Sequence, residues 1–149
     1  MSTAVVELSH DYASAPDKVW KLATDFTALA EVCKPLVTFS GLPEGRTHKG
    51  MTVHVKVRLL GILPPQPYAM EVVDQDDHHM WLLSSEKGAG VKSWHHRMQV
   101  EPHGSGARLT DRIEIDAGWM TPVFAWWARK LYAHRHRPRQ RLLGEAPDA

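Results

Sequence analysis

Residues 11–26 read DYASAPDKVWKLATDF, which is the end of a strand followed by a capping turn and a short helix. We expect Ser14 to supply the N-cap oxygen and Pro16 to lie in the first helical turn, where its missing N–H costs nothing. The apolar positions then form one broad helix face: Val19, Trp20, Leu22, Ala23 and Phe26. Alternating strands and one long aromatic helix follow, and this order indicates a cavity rather than a solid core.

Composition places limits on the class of protein. The chain has 149 residues, with 18 Lys and Arg against 17 Asp and Glu, and this length predicts one domain over residues 1–149. The net charge of +1 argues against a general polyanion binder, so we do not expect nucleic acid as a partner. Cys33 is the only cysteine, which excludes an internal disulfide. Because a signal peptide and a long apolar run are both missing, we expect a cytoplasmic protein.

Alternating apolar and polar residues predict a meander of strands. The pattern is clearest at residues 4–12 and at residues 52–59, where the valines face one side and His54, Lys56 and Arg58 face the other. Further strands are predicted at residues 36–40, 68–74, 80–85, 92–101 and 108–116. The proline-rich segment 61–67 is predicted to be a loop.

Two more helices are predicted from their end signals. One covers residues 27–33 and ends at Pro35. The long C-terminal helix begins with Thr121 as its cap and Pro122 as its first residue, and Pro138 kinks or ends it.

The order of these elements is similar to that of a known family. The residues that carry the likeness are APDKVW at positions 15–20, Asp25, the breaks at Pro35 and Gly41, Gly50 before the long strand, and the terminal aromatic helix. Over residues 3–143 the chain resembles the helix-grip fold of the START-like, or polyketide cyclase/dehydrase (SRPBCC), superfamily. The resemblance implies an α+β fold: a curved seven-stranded antiparallel sheet wrapped around a long C-terminal helix, with two short helices after the first strand. It also implies an apolar cavity between sheet and helix.

A polar pair is predicted on the inward face of the last two strands. His96 shares a face with Trp94 and Met98, and Asp111 is the one carboxylate on an otherwise apolar face. A short hairpin brings the two within reach of each other, and the resemblance implies that His10 of the first strand lies nearby. Such a pair either orients a catalytic imidazole or only fixes the register of the hairpin.

The predicted ligand site is apolar and aromatic. A cavity of several hundred cubic ångström would favour ligand binding, and its predicted lining is Val55, Val57, Tyr68, Met70, Trp94, Met98, Ile113, Phe124, Trp127 and Leu131. Of the neighbouring Trp126 and Trp127, we expect Trp127 to face inward. Three roles stay open for Ile62 and Leu63 at the cavity lip: closing over the ligand, touching a membrane transiently, or packing in a homodimer.

Other kinds of site have less support. The ten histidines and single cysteine lack the spacing of a metal site, so we expect no metal and no cofactor. The basic run 129–141 holds six Lys or Arg and no acid, and its ordinary interpretation is the solvated side of a helix.

Three functions remain at this point. The first is binding or transfer of a small hydrophobic or aromatic ligand. The second is a cyclase or dehydratase that uses His96 and Asp111, with His10 and Tyr68 as further contacts. The third is a surface module that uses the basic helix on a membrane or RNA.

Overall fold

One antiparallel sheet of seven strands forms the body of the molecule in the computed structural model, which describes residues 3–148. Its strands lie in the spatial order β1-β7-β6-β5-β4-β3-β2, so the chain meanders from one edge and β1 closes beside the last strand. In chain order the elements are β1 (Ala4–Tyr12), α1 (Pro16–Ala23), α2 (Phe26–Cys33), β2 (Val37–Ser40), β3 (Thr52–Leu59), β4 (Gln66–Asp76), β5 (Trp81–Gly88), β6 (Val91–His103), β7 (Gly106–Asp116), α3 (Thr121–His134) and α4 (His136–Leu142). A 3-10 turn at Gly118–Met120 precedes α3.

Side-chain alternation decides which face of each strand is buried. In β3 the valines at 53, 55 and 57 are buried and the residues between them are exposed, as a sheet with one wet face requires. In β6 and β7 the buried faces are those that the alternation predicts, and both include polar residues, His96 and Asp111. The core therefore lies on the concave side, where α2 and α3 cover the sheet.

The cap of α1 differs from the prediction. The N-cap residue is Ala15, whose backbone is extended, and no side chain caps the helix. Ser14 instead donates its hydroxyl to Glu145 Oε2 at 2.6 Å, and the same carboxylate accepts the backbone N–H groups of Ala13 and Ser14. The Ser14 hydroxyl is therefore bound to an acid near the C-terminus instead of to the first turn of α1. A local capping pattern cannot predict such a distant partner.

The start of β4 also differs from the prediction. Gln66 and Pro67 were expected in the loop, but they are the first residues of the strand. Pro67 lies opposite Lys56 of β3, whereas the pairing of β4 with β5 begins only at Tyr68. Because Pro67 has a neighbouring strand on one side only, its missing N–H is tolerated there.

The C-terminal helix is divided in two at Arg135. Helix α3 ends at His134 and α4 begins at His136. The break at Arg135 therefore lies three residues before Pro138, which was expected to cause it. The position follows from the chemistry of Pro138, which lacks the N–H that would bond to His134 and whose ring crowds that same carbonyl. The start of α3 also differs by one residue, because Met120 is the N-cap and Thr121 already belongs to the helix.

Among the described residues, no helix has the length and apolar character needed to cross a membrane.

Candidate functional site

A cavity lies between the concave face of the sheet and helices α2 and α3. Its volume is about 150 Å³, which is smaller than the several hundred cubic ångström named above as favouring ligand binding. A cavity of this size lined by apolar side chains can hold a molecule such as benzene. Its apolar lining comes from most elements of the fold and includes Phe26, Leu29, Val32, Val53, Val57, Leu59, Tyr68, Met70, Trp94, Met98, Phe124, Trp127 and Leu131.

Most of the predicted lining residues border this cavity, and two do not. Those that border it are Val57, Tyr68, Met70, Trp94, Met98, Phe124, Trp127 and Leu131. Val55 and Ile113 are buried in the surrounding core cluster instead, with 7% and 0% of their surfaces exposed. They belong to the packed wall rather than to the inner surface.

The two neighbouring tryptophans of α3 point in different directions. Trp127 borders the cavity, as predicted, whereas Trp126 is 57% exposed and its ring lies 5.7 Å from Lys130 Nζ. The proposed lip residues do not reach the cavity. Ile62 is 79% exposed and Leu63 is 44% exposed, both in the loop between β3 and β4.

His96 and Asp111 form a buried hydrogen bond at the wall of the cavity. His96 Nε2 donates to Asp111 Oδ1 at 2.6 Å, and His96 borders the cavity while Asp111 lies behind it, fully buried. The contact is diagonal, because His96 lies opposite Ile113 and Asp111 lies opposite Met98. Burial acts to raise the pKa of Asp111, but the hydrogen bond and charge of His96, together with the charges of Arg139 and Arg135, outweigh it and hold that pKa below its usual value.

His10 lies near this pair but outside the cavity lining. In the pairing of β1 with β7, His10 lies opposite Leu109. The neighbouring inward-facing pair is Leu8 and Asp111. Its ring stacks on His136 with centroids 4.7 Å apart, and its Nδ1 is buried without a hydrogen bond. Burial, and then the neighbouring His136, lower the pKa of His10. The three predicted catalytic residues are therefore brought to one region, and only His96 borders the cavity.

A second polar group on the cavity wall was not predicted from the sequence. Glu86 borders the cavity and accepts hydrogen bonds from Tyr68 Oη at 2.8 Å and from Ser84 Oγ at 2.9 Å. Burial, and then the charge of Glu86, raise the pKa of Tyr68 well above its usual value. Tyr68 therefore stays a neutral hydrogen-bond donor at physiological pH.

Two arginines from the basic run also border the cavity. Arg135 is 7% exposed and Arg139 is 3% exposed, and the Arg135 guanidinium lies 4.1 Å from the ring centroid of Tyr132. A usable signal was present in the sequence, because Ala128, Leu131, Arg135 and Arg139 continue one face at helical spacing. The basic run is therefore not one solvated surface.

No three His, Cys, Asp or Glu side chains within residues 3–148 are grouped so that they could hold a metal ion.

A family comparison covers nearly all of these elements. The model of the family described as "Domain of unknown function (DUF8410)" matches residues 11–143. The chain belongs to this DUF8410 family. No curated protein matches the chain.

Solved structures with the same architecture are similar to the DUF8410 chain over almost its full length. A START superfamily protein from Mycobacterium smegmatis has a TM-score of 0.66 at 13% identity, covering 90% of this chain and 92% of its own. The Zhui aromatase/cyclase from Streptomyces sp. R1128 has a TM-score of 0.65 at 15% identity, covering 97% and 100%. Ara h 8.0201 has a TM-score of 0.73 at 14% identity, covering 97% and 100%. The chain thus shares the helix-grip fold of these structures, which is the fold that the resemblance predicted.

Proposed function

We propose that the protein binds a small hydrophobic or aromatic molecule in the cavity between the sheet and α3. The observation that carries the proposal is an apolar cavity of about 150 Å³ in the interior, bordered by the rings of Phe26, Tyr68, Trp94, Phe124 and Trp127. Aromatic walls of this kind favour a flat ligand. Proteins similar in fold include a START superfamily protein and an aromatase/cyclase, and both are compatible with a ligand held between the sheet and the helix.

The size of the cavity limits the size and the affinity of the ligand. One aromatic ring buries roughly 150 Å², which at about 25 cal/mol per Å² corresponds to about 4 kcal/mol. Since association itself costs free energy, a neutral one-ring ligand is expected to bind with a Kd of about a millimolar or weaker. Tighter binding needs polar contacts in addition.

A cavity-filling variant tests this proposal. Val57 is 4% exposed and borders the cavity, so the larger side chain of Val57→Phe takes up the space that the ligand would use. The matched control is Val73→Phe on β4, because Val73 is 49% exposed. Binding of indole, toluene and benzyl alcohol is followed by tryptophan fluorescence and by NMR shift changes, and a thermal melt of each variant checks its folding.

The wild type and Val73→Phe should bind these probes, and Val57→Phe should lose at least about tenfold in affinity. Equal binding by a folded Val57→Phe would place the ligand elsewhere. Absence of binding by the wild type would count against the proposal itself.

A second function, cyclase or dehydratase catalysis, is supported by the hydrogen bond between His96 and Asp111. The carboxylate fixes the ring orientation and the tautomer, which leaves Nδ1 of His96 as the atom able to take up a proton. In this proposal His96 is the general base or acid, Asp111 is its positioning residue, and Tyr68 contacts the substrate. A His96→Gln variant that still binds a co-purifying small molecule but no longer converts it would support this function, and unchanged conversion would contradict it.

A further inference from the structure

The least expected feature of the cavity wall is a pair of buried guanidinium groups one helical turn apart. Arg135 joins α3 to α4 and Arg139 follows within α4, and both border the cavity with less than one tenth of their surface exposed. An arginine stays protonated in a folded protein. Two positive charges are therefore present in an interior that is otherwise mainly apolar.

Among the described residues, neither of these guanidinium groups has an ion-pair partner, and each has one buried nitrogen without a hydrogen bond. Nε of Arg135 and Nη1 of Arg139 are buried without a hydrogen bond. Within residues 3–148, neither arginine has a carboxylate oxygen within ion-pair distance, although nine other such pairs are present. A buried charge without an adjacent counter-charge is costly, and the carboxylates of Asp111 and Glu86 act on Arg135 only from beyond ion-pair distance.

The carboxylates nearest to the site are already engaged. Glu86 accepts hydroxyl donors from Tyr68 and Ser84, and one oxygen of Asp111 accepts from His96. The second oxygen of Asp111 is buried and unpaired, but Asp111 does not border the cavity. Arg135 borders the cavity and has no carboxylate of the described chain at ion-pair distance, so its guanidinium is the cation that a ligand in the cavity can meet.

The guanidinium of Arg135 is also held in place before any ligand arrives. Its Cζ lies 4.1 Å from the ring centroid of Tyr132, a stacked cation–π contact, and Tyr132 is itself 2% exposed. A planar guanidinium offers two parallel N–H donors that match the two oxygens of a carboxylate. Orientation by the ring reduces the entropy lost when such a pair forms.

We propose that the ligand is an aromatic carboxylate, whose ring occupies the apolar cavity and whose carboxylate pairs with Arg135, with Arg139 adding positive charge behind it. This inference rests on the proposed function, since it names the chemical class of the ligand for the same cavity. It also provides the polar contact that a one-ring ligand needs in order to bind more tightly than its apolar area allows.

Pairs of probes that differ only in charge test the inference. Benzoate is compared with benzamide, and cinnamate with cinnamamide, at neutral pH by NMR and tryptophan fluorescence. The Kd of each carboxylate for the wild type should be lower than that of its amide by a factor of about ten or more. This comparison requires no variant, so its outcome does not depend on whether a mutant folds.

Variants then locate the preference. Arg135→Gln and Arg135→Met should reduce the ratio of carboxylate to amide affinity to about one while leaving amide binding within about twofold of the wild type. The matched control is Arg129→Gln, an exposed arginine on α3, which should keep the wild-type ratio. Thermal melts check that each variant is folded.

The outcomes separate the two proposals. If the amides bind the wild type as well as the carboxylates do, the anion site is wrong and the apolar ligand site stands. If neither class binds, the proposed function fails. If Arg135→Gln is folded and keeps the preference, the carboxylate is held elsewhere and the assignment to Arg135 is overturned.

Discussion

The bond between His96 and Asp111 has an exposed counterpart in the same sheet, and the two together test how strongly burial affects the contribution of a polar pair to stability. His96 Nε2 and Asp111 Oδ1 are 2.6 Å apart, with side chains 8% and 0% exposed. Arg108 Nε and Asp11 Oδ1 are 2.7 Å apart, with side chains 38% and 52% exposed. The distances are nearly equal and the burial is very different.

Removing one partner of the buried pair should be strongly destabilising. Asp111→Leu leaves Nε2 of His96 without an acceptor in the interior, a change that typically costs about 3–5 kcal/mol. We expect a loss at the lower end of this range, about 3 kcal/mol. The second oxygen of Asp111 is buried and unpaired in the wild type, so removing the carboxylate also removes that destabilising contribution. For a chain of this length the loss corresponds to a fall in Tm of about 6–12 °C. Asp11→Leu should cost less than about 1 kcal/mol.

A double-mutant cycle measures the coupling directly. Urea unfolding followed by circular dichroism gives the free energies of unfolding of Asp111→Leu, His96→Leu and the double variant. The double variant should be more stable than the sum of the single losses predicts, by at least about 1.5 kcal/mol. If the single effects add to within about 0.5 kcal/mol, the two side chains do not depend on each other and the reasoning is refuted.

Two further predictions concern stability. His10 has a lowered pKa, so as the pH falls below its ordinary value of 6.5 the unfolded chain takes up a proton more readily than the folded one, and the free energy of unfolding decreases. His10→Asn should flatten this decrease between about pH 7.5 and 5.5 in urea unfolding, and an unchanged slope would contradict the assignment. In Gly106→Ala the new Cβ would lie 1.9 Å from the carbonyl oxygen of Tyr12, so a backbone must move. We expect a loss of about 1–3 kcal/mol, and a loss below about 0.5 kcal/mol would show that β1 yields easily.

The architecture could be predicted because it depends on local rules. Alternation with period two decides which residues of β6 and β7 face inward, so the sequence alone predicts His96 and Asp111 on one face of the sheet. Their diagonal offset could not be predicted, because it depends on the register of the hairpin loop. The prediction that Ser14 caps α1 was wrong for a related reason: the partner of Ser14 is Glu145, which is 131 positions away in the sequence.

The two arginines that border the cavity, Arg135 and Arg139, were not predicted there, because the basic composition of residues 129–141 indicates a solvated surface. The helical periodicity of the same residues is more informative. A run of six cations in thirteen residues is typical of a solvated surface, yet the helix turns about 100° per residue and carries Arg135 and Arg139 onto the face of Ala128 and Leu131. Charge content alone does not distinguish these cases. The burial of Ala128 and Leu131, which precede the arginines on the same helix face, distinguishes a buried arginine from a solvated one.

The volume of the cavity was equally beyond local rules, since it depends on how large side chains meet across the fold. Val55 has the same parity as Val53 and Val57, but only the latter two border the cavity. Close packing removes empty space wherever side chains can fill it, so the space that persists is the space that no neighbouring side chain reaches. Arg135, a cation without a carboxylate of the described residues at ion-pair distance, is among the residues that border this remaining space, and it gives the cavity a chemical preference that its apolar walls alone would lack.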